Sequence, residues 1–96
     1  MHDTIDIENK LKKLKPILHQ QYHVDRIGFF GSYSRNEQKS GSDIDILVSF
    51  GKPLGWEFFD LQEFLENELQ LKVDLVSEKG LKKQLRPIIL SSVKYV

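Results

Sequence analysis

Apolar residues in the first part of the chain fall at Ile7, Leu11, Leu14 and Leu18, at steps of four, three and four, with polar residues between them. That interval sets all four on one stripe of an α-helix, so residues 4–22 are predicted to form an amphipathic helix with one buried side. Pro16 lies inside this segment and lacks a backbone donor, which predicts a kink or a restart there. The pattern then changes. Residues 26–30 (RIGFF) are short, apolar and rich in β-formers, and Gly31-Ser32 ends them abruptly, as a buried strand running into a turn would.

A polar stretch follows, with room for a short helix over residues 34–38 and a closing turn at Ser40-Gly41-Ser42. Residues 43–50 (DIDILVSF) read as a second strand, with Ile44, Ile46 and Val48 on one face and Asp43, Asp45 and Leu47 on the other. After a loop rich in glycine and proline, Leu61, Phe64, Leu65 and Leu69 restore helical spacing over residues 56–69. Residues 72–76 (KVDLV) form a third predicted strand carrying Asp74, and the tail from Ser77 reads as helical, broken near Pro87. Helices separated by short strands in so small a chain predict an α/β or α+β fold, a three- to four-stranded mixed sheet covered by helices. The acids of the second and third strands meet only if those strands are neighbours.

Length changes the picture little: 96 residues suffice for one domain, residues 1–96, and leave any second domain to another chain. Charge changes it more. Fourteen basic and fourteen acidic residues cancel, so no global field draws in nucleic acid or an anionic membrane, and direct nucleic-acid binding is not expected. The chain has no cysteine, no apolar run long enough to span a bilayer and no signal-peptide pattern at its start, which together favour a cytoplasmic protein. The run Lys10, Lys12, Lys13 and Lys15 is the pattern of a solvated helix face. His2, His19 and His23 lack metal-ligand spacing. Trp56, Phe58 and Phe59 read as core or edge packing, with exposure as an interface anchor the minor alternative.

Chemistry enters with the carboxylates. Two aspartates at i and i+2 of a strand project from the same face with Cα atoms about 7 Å apart, close enough to share divalent cations. Asp43 and Asp45 obey that spacing, and desolvating two like charges in an apolar strand costs several kcal/mol (roughly) unless a cation or an exposed strand end relieves it. Magnesium, bound typically through one or two carboxylates plus substrate phosphates, suits such a site. Asp74 from the third strand would complete a set in which Asp43 and Asp45 bridge two ions. Asp74 would then lie nearest an attacking hydroxyl, as metal ligand and base for phosphoryl or nucleotidyl transfer. Gly31 allows close approach of backbone amides to a triphosphate, Ser32 adds a hydroxyl, and Arg35 lies at helical spacing to neutralise phosphate charge. Ser42 is most simply a loop residue ahead of the strand.

Gly31-Ser32, ten intervening residues and Asp43-Ile44-Asp45, with Asp74 in KVDLV, resemble the signature of the DNA polymerase beta-like nucleotidyltransferase superfamily. The resemblance covers nearly the whole chain, and the small size is similar to the minimal nucleotidyltransferases of the MNT antitoxin type. What it implies is transfer of AMP from ATP, with magnesium, to a tyrosine hydroxyl of a helical HEPN-type ribonuclease toxin, which the chain would thereby silence. Two other readings stay open: an antitoxin that neutralises by covering its toxin, and a small-molecule nucleotidyltransferase whose acceptor pocket is completed by a homo-oligomer or another subunit.

Overall fold

The stripe of Ile7, Leu11, Leu14 and Leu18 is the buried side of α1 (Thr4–Tyr22) in the computed structural model, which describes residues 4–35, 37–39 and 43–96. Four strands follow in chain order: β1 (Val24–Phe30), β2 (Ile44–Phe50), β3 (Val73–Ser77) and β4 (Lys94–Tyr95). They form one sheet in the order β3-β2-β1-β4, with β2 and β3 parallel and β1 antiparallel to both β2 and β4. α2 (Glu57–Leu69) makes the crossover between the parallel pair. The fold is therefore α+β, a mixed four-stranded sheet with helices, as the hydrophobic spacing predicts.

Alternation along each strand decides which residues enter the core. Ile27 and Phe29, Ile44, Ile46 and Val48, and Val73 and Leu75 turn to one face, where they meet the α1 stripe and Leu61, Leu65 and Leu69 of α2. Side chains such as Leu11, Leu18, Leu61 and Leu65 are completely buried, each contributing about 1.5–3 kcal/mol relative to exposure. The other face carries Asp45, Leu47 and Ser49 from β2 and Asp74 and Val76 from β3. Leu47 is fully buried there, so this face too is partly covered.

Gly28 lets β4 dock on β1. A Cβ at this position would fall 2.7 Å from the Lys94 carbonyl oxygen and 3.0 Å from Val93 Cγ2, so a side chain would push the last strand off the edge. A second tie holds the same edge: Glu78, buried after β3, accepts hydrogen bonds from Arg26 Nη2 (3.2 Å to Oε2) and the Tyr95 hydroxyl (3.0 Å to Oε1). The Arg26 guanidinium also sits 5.4 Å from the Tyr95 ring centroid.

Several boundaries and packing expectations are corrected. α1 runs unbroken through Pro16, which lies on its exposed side; Lys12, whose carbonyl loses its usual donor, is also on that side, where water can serve. Among the described residues of the expected helix at 34–38 none is helical: residues 31–35 make a single turn, and Glu37 N bonds to Ser32 O at 2.8 Å. The expected turn at Ser40-Gly41-Ser42, and His2, lie outside the described residues. Pro87 opens α3 (Arg86–Ser92), where a missing donor costs nothing, instead of breaking a longer helix. Trp56 and Phe59 do not pack into the core; they are 83% and 60% exposed, while Phe58 is half-buried. Their position at the start of α2, on the side away from Leu61 and Leu65, explains the exposure.

Candidate active site

β2 and β3 pair in parallel with Asp45 directly opposite Asp74, and β1 places Phe30 on the other side of Asp45. The two aspartates therefore share a face, with the Asp74 carboxyl close enough to perturb that of Asp45. Asp45 is half-buried, and its carboxyl is pushed up from 3.8 to about 6. Burial is the largest cause, the charge of Asp74 and the hydrogen bond to it come next, then the charge of Asp43; Arg35 acts in the opposite direction. Asp43 itself is exposed, immediately ahead of β2.

Gly31 closes the site from β1. Its φ is +74°, a left-handed value that glycine tolerates, and a Cβ there would collide with Asp45 Oδ2. The absent side chain is thus the space in which the Asp45 carboxylate rests. The turn that follows is braced from within: Ser34 Oγ donates to Gly31 O at 2.9 Å, and Arg35 N reaches the same carbonyl at 3.3 Å. Thr4 Oγ1 donates to Tyr33 O at 2.8 Å, tying the first turn of α1 to this loop. Tyr33 is buried, and its hydroxyl is raised above the usual phenol value by burial first and by Asp43 second.

Of the six positions singled out in the sequence, Asp45, Asp74 and Gly31 are brought into direct proximity. Asp43 stands beside them on the exposed rim. Ser32 lies in the turn, half-buried, with its carbonyl used by Glu37 N. Arg35 is engaged by a neighbour: its Nε donates to Glu37 Oε1 at 3.0 Å, both side chains being more than half exposed. That surface pair is weak and leaves the guanidinium readily recruited by an anion. Ser34, Thr4 and Tyr33 were not singled out in the sequence. A hydroxyl three residues after the glycine was the legible sign for Ser34; the Thr4 contact spans 29 residues and had no local signal.

The donor set suits a hard divalent cation. Two neighbouring carboxylates repel unless they share a proton or hold a positive charge between them, and the raised Asp45 carboxyl agrees with that. Among the described residues no group of three His, Asp or Glu side chains forms a ready-made cage. Magnesium held by one or two carboxylates takes its remaining ligands from water and substrate phosphates, so the pair is a fitting protein share.

A nucleotidyltransferase domain family model matches residues 11–96. The protein adenylyltransferase MntA of Thermococcus cleftensis is 44% identical over 92 residues, which cover 95% of this chain and 93% of that one. Among solved structures, one assigned to the minimal nucleotidyltransferases superposes with a TM-score of 0.84 at 29% identity, covering 97% of this chain and 95% of the other. A complex of a tri-AMPylated Shewanella oneidensis HEPN toxin with its MNT antitoxin superposes with a TM-score of 0.70 at 28% identity, covering 96% and 70%. With the family model spanning most of its length and relatives matched nearly end to end, the chain belongs to the nucleotidyltransferase family, as one of its minimal members.

Proposed function

We propose that this nucleotidyltransferase moves AMP from ATP to a tyrosine hydroxyl of a HEPN-type toxin and serves as that toxin's antitoxin. The observation that carries the chemistry is the register of Asp45 against Asp74 beside Gly31. The partner is supported by the AMPylated HEPN toxin that the similar MNT antitoxin accompanies, and the donor by the name of the Thermococcus relative.

In this reading the Gly31-Ser32 turn holds the triphosphate through its backbone amides and the Ser32 hydroxyl, beside the Asp45 carboxylate that packs against Gly31. Asp43, Asp45 and Asp74 hold magnesium, which when bound neutralises the phosphates and lowers the barrier to displacement. Asp74 orients the acceptor hydroxyl and takes its proton. The tyrosine oxygen then bonds to the α-phosphorus as the bond from that phosphorus to the β-bridging oxygen breaks, and pyrophosphate leaves with the electron pair. Arg35, released from Glu37, offsets charge on the phosphates.

The test is incubation of the chain with magnesium, ATP labelled on the α-phosphate and a HEPN-type toxin of the same genome, with Asp45→Asn alongside. Label on the toxin that disappears in the variant supports transfer. Full neutralisation of the toxin by the variant without label supports occlusion instead, and label on small molecules alone supports the third reading.

A further inference from the structure

The zero net charge conceals a division of the surface. Residues 53–71 contain Glu57, Asp60, Glu63, Glu66 and Glu68 and no lysine or arginine. Residues 79–96 contain Lys79, Lys82, Lys83, Arg86 and Lys94 and no acid. Each tract also exposes apolar side chains. On the first, Trp56 and Phe59 lie 5.9 Å apart between ring centroids and are mostly exposed. Trp56, Asp60 and Glu63 recur at helical spacing on the side of α2 opposite Leu61 and Leu65. On the second, α3 buries none of its residues, and Leu85 and Ile88 are 46% and 67% exposed.

We infer that the acidic, aromatic face of α2 in one copy of this chain docks on the basic, apolar segment containing α3 in a second copy, forming a two-fold dimer. Opposite charge set among exposed apolar groups is what complementary association surfaces carry, and each patch finds its complement on the other. The two tracts approach each other at a groove of about 240 Å³ lined by Phe58 of α2 and by Lys79, which precedes α3. In the proposed dimer a two-fold axis satisfies both contacts at once, which closes the assembly at two copies instead of extending it into a fibre. Lys82, Lys83, Asp60 and Glu63 have no ion-pair partner among the described residues, so none has to give up an existing bridge to take part. The inference does not depend on the acceptor or the chemistry of the carboxylate site.

The test is sedimentation equilibrium of the full chain at low and high salt, with two charge-reversed variants. The wild type should sediment at twice its 11.2 kDa in about 50 mM salt, and its dissociation constant should rise at least about tenfold in about 500 mM salt as screening shortens the reach of the charges. Lys82→Glu with Lys83→Glu, and separately Asp60→Lys with Glu63→Lys, should each give monomers. Mixed in equal amounts the two variants should recover the dimer mass, because both contacts again join opposite charges; misfolded variants could not do so. A wild-type monomer at low salt overturns the inference, as does a dimer that survives either reversal or a mixture that stays monomeric.

Discussion

Asp45 and Asp74 occupy the same register position on two parallel neighbours, so the hydrogen bonds of the sheet itself bring their carboxyl groups together. No loop has to fold correctly for the pair to exist. The arrangement holds two like charges close in a half-buried place, and its cost depends on pH and on cations.

Asp45 titrates near 6 in the folded chain against 3.8 as its ordinary value, so the folded state binds its proton more tightly than the unfolded state. Its contribution is therefore most favourable below about pH 4, falls as pH rises from about 4 to about 6, and is constant above that. Asp45→Asn removes the penalty without much change of shape. In chelator, the melting temperature of the variant should exceed that of the wild type at pH 7.5, and the gap should close towards pH 4.5. An offset that does not change with pH would contradict this assignment.

Magnesium should raise the melting temperature of the wild type and leave Asp74→Asn nearly unmoved. At a hundred times the dissociation constant, binding to the native state alone adds about 2.7 kcal/mol. The same substitution should lower AMP transfer by about a hundredfold or more, the usual scale for losing one electrostatic group at a reacting centre. Thermal scans across magnesium concentration and label transfer at saturating ATP measure the two effects separately.

Gly31→Ala should damage both stability and nucleotide use. A left-handed φ is unfavourable for alanine, and the new methyl meets the Asp45 carboxylate, which must then swing away from its place. A loss of about 1–3 kcal/mol is expected. At roughly 4–8 °C per kcal/mol for a domain of this size the fall is easily resolved by calorimetry. ATP affinity, followed by titration calorimetry, should drop in parallel.

Glu78→Ala tests the tie at the far edge of the sheet. It leaves the Arg26 guanidinium and the Tyr95 hydroxyl without the carboxylate they share, and because both are exposed to water the cost is about 0.5–1.5 kcal/mol. Because Glu78 raises the Tyr95 hydroxyl, after burial, its removal should also let that phenol ionise at lower pH. Ultraviolet titration of the tyrosines reads that shift directly.

Periodicity made α1, α2 and the three longer strands legible, because each buries a regular stripe: Ile7 through Leu18 at helical spacing, and Ile44, Ile46 and Val48 at alternate strand positions. The Asp45–Asp74 encounter was legible only conditionally, since residue order does not reveal which strands are neighbours. Three features left no adequate trace. β4 is two residues long and is held by the space at Gly28, which pattern cannot show. The polar stretch after Gly31 reads as a short helix over residues 34–38, whereas residues 31–35 make one turn closed by bonds to the Gly31 carbonyl. Trp56 and Phe59 are as apolar as any core residue, and only their angular position on α2 keeps them in water.

The bond from Thr4 to the Tyr33 carbonyl links events that are distant along the chain. Fraying of the first coil of α1 releases the loop behind Gly31, and a ligand seated on that loop resists the fraying. Amide exchange near the amino-terminal end of the helix should therefore slow when ATP is added, turning a segment remote in sequence into a gauge of occupancy.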